Sequence, residues 1–313
     1  MERITVGSVK INNFILGAGR LGDIKYKKDC FKNLDRYFDL CYNTLDVARS
    51  YENGQAEEFL GEYLKNRNRH EYILISKGGF PEDKTKMYLP RLSKNELQKD
   101  LDTSLKALKT DYTDIYFLHR DDITKKPEEL IETANLFIKQ GKTKEIGASN
   151  WTAGRIQQAN EYAVKNGLKP FSVSQINYSY ALTTPALTGD LTHITMNDIE
   201  YLWYKETQFP IIAYSVQAKG FFTKLITGET LKPSGQKSYL PIKENFRRFD
   251  RINQLSKEKN ESIPALLLAY VLSKGLNASV IGGFSKEEQL MEAEKGINIR
   301  LSEKEIHFLE TGI

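Results

Sequence analysis

The chain has 313 residues, 40% of them hydrophobic and 27% charged, with 45 Lys and Arg against 41 Asp and Glu and a formal net charge of +4. A chain of this length buries a sizeable core without metal or disulfide staples, and its composition is that of a globular protein rather than a disordered one. The small, interspersed charge gives no reason to expect a nucleic-acid or anionic-membrane partner.

Two cysteines, Cys30 and Cys41, are too few for a disulfide framework and read as buried thiols on one helix face. The histidines His70, His119, His193 and His307 are far apart in sequence, so no metal cluster is expected. The opening MERITVGSVKINNF lacks the apolar stretch of a secretory signal, and no run of about 20 apolar residues crosses a membrane. A cytoplasmic location is the expectation.

ITVGSVKI reads as a small hairpin. Short β-rich apolar runs then begin near Phe14, Thr44, Ile73, Asp114, Glu145, Val173, Ile211 and Ser279. Segments with helical period lie between most of them: Phe31, Leu34, Phe38 and Cys41 form one stripe, and Ala56, Phe59/Leu60 and Tyr63/Leu64 a second. Leu97, Leu101, Leu105 and Leu108 form a third, opened by a capping box of Ser93 and Glu96. The last interval is 68 residues long and must hold a polar loop (residues 227–245), a charged helix and an apolar helix (residues 265–273); one more helix is expected over residues 302–313. Each strand followed by a helical crossover implies parallel strands, and eight such units close into a barrel. The expected fold is α/β: a (β/α)8 TIM barrel with an N-terminal β-hairpin and two auxiliary helices, forming one domain over residues 1–313.

Gly17, Gly19 and Gly22 spell GAGRLG, a literal G-x-G-x-x-G, and Asp46 stands where a dinucleotide-binding fold puts its acid. That fingerprint requires a helix to open at the motif. Here DIKYKKD intervenes, so a glycine-rich strand-to-loop turn is the favoured reading and a Rossmann fold the rival.

In a barrel, chemistry collects at the C-terminal ends of the strands. Those ends carry Asp46 with Tyr51 on the next loop, then Lys77, His119, Ser149 with Asn150, Gln175, and Tyr214 with Ser215. Singly, each has a bland reading as a turn, surface or core residue; four coincident placements on three consecutive strands do not. A tyrosine beside an ammonium acts as a general acid, because the positive charge stabilises the phenolate left behind. Lys77 supplies that charge, Asp46 holds the lysine, and His119 donates to a substrate oxygen.

NTLDVARSYENGQAEEFLGEYL resembles the first signature of the aldo-keto reductases, DTSLKALKTDYTDIYFLHR their second, and KTKEIGASNW their fifth-strand block. INYSYA, IIAYSVQAKGFF and SVIGGFSKEEQL follow in the family's order, so the resemblance runs from about residue 9 to about residue 310. It implies a barrel that binds NADP(H) or NAD(H) without a Rossmann domain and reduces an aldehyde or ketone, or oxidises the alcohol. The alternative is a cofactor-binding regulatory subunit on the same barrel, like the family's channel-associated β-subunits. By the resemblance Asp46, Tyr51, Lys77 and His119 are the catalytic tetrad. Ser149, Asn150 and Gln175 hold the nicotinamide carboxamide, Tyr214 stacks on the ring, and Gly19, Arg20, Ser215 and Lys219 border the cofactor.

The eighth-strand stretch GGFSKEEQLMEAE departs from the family pattern: Gly283 and Phe284 take the early positions, Lys286 is the one base, and Gln289 falls where an arginine is often found. NADP(H) is the first expectation and NAD(H) the second. Phe80 and Trp151 are expected to wall the substrate site. The short tail suggests an open mouth and a polar or bulky small-molecule carbonyl substrate, with the protein a monomer or small homo-oligomer.

Overall fold

The computed structural model describes residues 2–19, 21, 27–83 and 85–313. Strands β1 (Arg3–Val6) and β2 (Val9–Asn12) form the antiparallel hairpin. Eight parallel strands follow: β3 (Phe14–Gly17), β4 (Thr44–Asp46), β5 (Ile73–Gly78), β6 (Thr113–Leu118), β7 (Thr143–Ser149), β8 (Val173–Asn177), β9 (Ile211–Tyr214) and β10 (Ala278–Gly282). They close in sequence order, with β10 pairing to both β9 and β3. The fold is the (β/α)8 barrel expected, and each strand begins within two residues of the run that foretold it.

The outer layer comprises α1 (Lys27–Asp39), α2 (Gln55–Leu64), α3 (Lys94–Leu108), α4 (Pro127–Lys139), α5 (Ala153–Lys165), α7 (Asp198–Thr207), α11 (Ile263–Ser273) and α12 (Glu287–Asn298). Inserted or appended are α6 (Pro185–Thr188), α8 (Phe221–Thr227), α9 (Pro233–Tyr239), α10 (Glu244–Lys259) and α13 (Glu303–Thr311). The Ser93 capping box is present, with Glu96 returning the bond. Helix α11 is apolar almost all round because it is wedged against the barrel and its neighbours, with eight of its residues buried.

Two local expectations change. Cys41 lies beyond the end of α1 at φ 64° and is exposed, whereas Cys30 is buried. The buried stripe of α1 centres on Cys30, Leu34 and Tyr37; Leu34 holds from the pattern read in sequence, while Phe31 and Phe38 pack half-buried at its edge. The reason is Tyr37, whose hydroxyl reaches the carbonyls of Phe14 and Thr44 at 2.7 and 2.9 Å and rotates the helix onto that face. The polar loop over residues 227–245 contains α9. Its PSGQKSY sequence has little helical pattern; it is held by burial of Gly235, Ser238 and Tyr239, the last against Phe221.

Side-chain alternation within the strands sets up the site. Ile15, Ile75, Ile115, Phe117, Val173 and Ile212 fill the barrel interior together with Val6, Val9 and Ile11 of the hairpin, which plugs the lower end. The plug is tied down by Ser8, whose N–H and hydroxyl both donate to Glu145 on β7. Gly147 makes room for the interior layer, since a Cβ there would stand 2.4 Å from the Phe117 ring. Two residues further along each strand, the next inward position is polar: Lys77 follows Ile75, His119 follows Phe117, Gln175 follows Val173, and Tyr214 follows Ile212. Among the described residues no helix is long and apolar enough to cross a membrane.

Candidate active site

Beyond Asp46 the chain keeps pairing along β5, from Val47 N–H to the Ile75 carbonyl and from Arg49 N–H to that of Lys77. This extension carries Tyr51, on the short 3-10 turn 51–54, over the end of β5. Lys77 is fully buried. Its ammonium donates to Asp46 Oδ1 at 2.6 Å, to the Val47 carbonyl at 2.9 Å and to the Tyr51 hydroxyl at 3.2 Å. The second Asp46 oxygen accepts from Gln175 Nε2 at 2.9 Å. Burial alone pulls the Lys77 ammonium down, but the Asp46 carboxylate and the Tyr51 oxygen outweigh it, and the net shift is upward. Behind this group the outward-facing Ser76 donates to Glu57 of α2 at 2.7 Å, and Arg49 approaches the same carboxyl at 3.5 Å.

The His119 ring stands edge-on to Tyr51, centroids 5.8 Å apart, and tilts against Phe80 at 4.9 Å. Burial, then the charges of Arg120 and Lys77, push its imidazole well below the ordinary value, so it is neutral. Its Nδ1 is buried without a hydrogen-bond partner. Orphaned buried N–H groups are rarer than under-satisfied acceptors, so we assign the single N–H to Nε2.

These groups open into a cavity of about 860 Å³ at the C-terminal end of the barrel. Gly19, Asp46, Tyr51, Phe80, His119, Ser149, Asn150, Gln175, Tyr214, Ser215, Lys219, Gly283 and Gln289 all line it. Gly19 lies against Tyr51, where a Cβ would come within 3.3 Å of the ring. Burial raises the Tyr214 phenol, which remains protonated and donates to Asn150 Oδ1 at 2.6 Å. The Asn150 amide is engaged elsewhere too, with Ser149 Oγ and the His119 carbonyl. Ser215, Ala218, Lys219 and Gly220 all have left-handed backbones, and the N–H groups of Ala218 and Gly220 close onto the carbonyls of Ser215 and Gln217, so residues 215–220 form a tight turn at the cavity edge.

Trp151 does not wall the cavity. After the left-handed Asn150 (φ 59°) the chain turns outward, and the indole is fully buried against Phe171, donating to the Arg120 carbonyl. Lys286 is exposed at the start of α12 and away from the cavity lining. Gln289 turns back to accept from the Ser285 N–H and hydroxyl. Arg20 lies outside the described residues. Sequence reasoning missed Arg120 and His193, which also line the cavity, as do Lys224, Lys232 and Glu292. Position 120 was signalled only by following His119; His193, Lys224 and Lys232 reach the site through the long connections after β8 and β9, and Glu292 lies one turn beyond Gln289 on α12. Among the described residues no group of three or more His, Cys, Asp or Glu is arranged to hold a metal ion.

The fold and this cluster define a (β/α)8 barrel whose polar site sits at the C-terminal strand ends, with a buried lysine–aspartate pair bonded to a tyrosine. The sequence model described as "Aldo/keto reductase family" matches residues 13–311, and the chain belongs to that family of oxidoreductases. An aryl-alcohol dehydrogenase of Pestalotiopsis microspora is 28% identical over 322 residues, covering 97% of this chain and 79% of that protein. A norsolorinic acid reductase of Aspergillus flavus is 29% identical over 287 residues, covering 90% of this chain and 70% of that protein. Among solved structures, a thermostable aldo-keto reductase crystallised with the inhibitor epalrestat shares the fold, with a TM-score of 0.73, 21% identity and 99% of each chain covered.

Proposed function

We propose that the chain is a nicotinamide-dependent carbonyl reductase, or the reverse alcohol dehydrogenase, with Tyr51 as the proton donor. The observation that carries this reading is the fully buried Lys77 ammonium bonded at once to Asp46 and to the Tyr51 hydroxyl at the cavity floor. When bound, the nicotinamide ring supplies or takes up the hydride at the carbonyl carbon. Tyr51 gives its proton to the carbonyl oxygen as negative charge develops there, and Lys77 stabilises the phenolate that remains. Asp46 keeps the lysine charged and in place. The neutral His119 donates from Nε2 to the same substrate oxygen.

The cavity suits a dinucleotide with a small substrate, since its volume lies in the upper range for ligand sites. Tyr214 offers a ring face fixed by its bond to Asn150, and Ser149 and Gln175 stand beside it to hold the carboxamide. The turn at residues 215–220, which carries Lys219 into the cavity wall, borders the phosphates. Lys219, Lys224 and Lys232 line the cavity, and we assign the phosphate-binding charge to them rather than to α12. NADP(H) is the dinucleotide that uses all three. At the other end Phe80, His119 and His193 make a mixed aromatic and polar wall. An aryl aldehyde is the first substrate to try, in keeping with the relative named an aryl-alcohol dehydrogenase.

The test is Tyr51→Phe, assayed with NADPH and 4-nitrobenzaldehyde. Turnover falls by about 10² to 10⁴, the usual worth of a general acid, while NADPH binding by fluorescence titration is unchanged. A variant that keeps the wild-type kcat refutes the mechanism. NADH binding more tightly than NADPH in the same titration refutes the lysine assignment.

A further inference from the structure

Arg120 follows His119 in the turn after β6, and its side chain is only 6% exposed although it contributes to the cavity wall. The reaction as described does not use it. Its Nη1 donates to the carbonyl of His119 at 2.9 Å. Its Nε donates to Thr192 Oγ1 at 3.0 Å, and its Nη2 to Asp190 Oδ2 at 3.0 Å. A further Nη2 contact reaches His193 Nε2 at 3.0 Å. Arginine only donates, so this His193 nitrogen accepts, and Nδ1–H donates to Thr188 Oγ1 at 2.9 Å. The guanidinium plane also lies over the Phe80 ring at 4.8 Å.

Three connections that wall the substrate end therefore meet on one side chain: the β5–α3 loop at Phe80, the β6–α4 turn at Arg120 itself, and the β8–α7 loop at residues 188–193. We propose that Arg120 is a positioning residue, its buried fork holding His119, the Phe80 ring and the Asp190–His193 loop in a single constellation that shapes the carbonyl-binding wall. The inference rests on the reductase reading above. A planar fork with several fixed donors is what such a junction needs; a lysine ammonium offers charge without that geometry.

Arg120 also acts on His119 electrostatically. The groups facing the imidazole are Tyr51 from the β4 side, Lys77 from β5, Arg120 at its own strand end and His193 from the β8–α7 loop. Asp46 stands behind Lys77 and Asp190 behind Arg120. After burial, Arg120 is the foremost contributor to keeping His119 neutral.

The experiment compares Arg120→Met, Arg120→Lys and Thr192→Val in the full chain. NADPH binding is followed by fluorescence, reduction of 4-nitrobenzaldehyde across pH, and amide hydrogen exchange over residues 184–195. Arg120→Met lowers kcat/KM by about 100-fold, the effect of a misplaced reacting group, with the NADPH Kd unchanged. Its acid limb moves up toward the ordinary histidine value of ~6.5. Arg120→Lys brings the acid limb back but leaves KM raised, because charge returns without the fork. Thr192→Val raises KM alone. Exchange over residues 188–194 accelerates in Arg120→Met. Wild-type kcat/KM and pH profile in Arg120→Met overturn the proposal, as does NADPH affinity falling in step with turnover. If Arg120→Met does not fold, the Arg120→Lys and Thr192→Val comparison decides: acid limb and KM both unchanged overturns the proposal. If the wild type turns over no carbonyl, the reductase reading fails, and unchanged exchange in Arg120→Met separately overturns the anchoring.

Discussion

Replacing Lys77 by methionine leaves the Asp46 carboxylate buried with Gln175 as its remaining side-chain donor. Breaking one half of a buried ion pair costs about 3–5 kcal/mol, because the other charge stays behind uncompensated. The site gives an independent bound. A stranded carboxylate escapes by taking up a proton, and neutralising an ordinary aspartate at pH 7 costs about 4 kcal/mol. The two figures agree. The escape becomes easier as pH falls, so the deficit of Lys77→Met shrinks by up to about 1.4 kcal/mol per pH unit on acidification. The sign follows from proton counts: the folded variant then binds more protons than its unfolded chain, and acid favours it relative to the wild type. Urea unfolding followed by far-UV circular dichroism at pH 7 and pH 5 measures both effects. The double variant Lys77→Met/Asp46→Leu removes the stranded charge and recovers most of the loss while remaining inactive. A Lys77→Met deficit under about 1 kcal/mol at pH 7 refutes the reasoning, as does a double variant no more stable than the single one.

Burial and the Arg120 charge pull His193 from 6.5 to about 4. In that window the unfolded chain binds a proton that the folded chain refuses, so stability falls as pH falls, by up to about 1.4 kcal/mol per unit. His193→Asn should flatten the pH 7 to pH 5 stability difference measured by urea unfolding; an unchanged slope counts against the assignment. On α2, a Cβ at Gly61 would stand 2.2 Å from the Ala107 carbonyl oxygen and 2.8 Å from Leu108 Cα, both backbone atoms of α3 that cannot swing aside. Gly61→Ala is therefore expected to cost about 1–3 kcal/mol by overpacking, and an unaltered melting temperature would show that the two helices separate freely.

The eight strands were legible because each is a short apolar run set between helical stripes, and the tetrad because polar residues stand at or just past the ends of three of those runs. Ile75 to Lys77 and Phe117 to His119 are local facts. The third helical stripe, with its Ser93 cap, was legible for the same reason. The buried face of α1 was misread in part, since Phe31–Cys41 and Cys30–Tyr37 are both credible stripes and the choice was made by hydroxyl contacts to β3 and β4. Helix α9 left no pattern because its stability comes from docking rather than propensity.

By itself, then, the sequence determined the barrel, its N-terminal hairpin and the polar residues at the strand ends, because apolar runs and helical period are written in neighbouring side chains. Tertiary structure alone decided which way several side chains past the strand ends turn. Trp151 turns into the core after a left-handed Asn150 and donates to the Arg120 carbonyl 31 residues back. Arg120 gathers Asp190, Thr192 and His193 from about 70 residues away in the chain. Such directions depend on which distant loop offers a hydrogen-bond acceptor, and no local period encodes that.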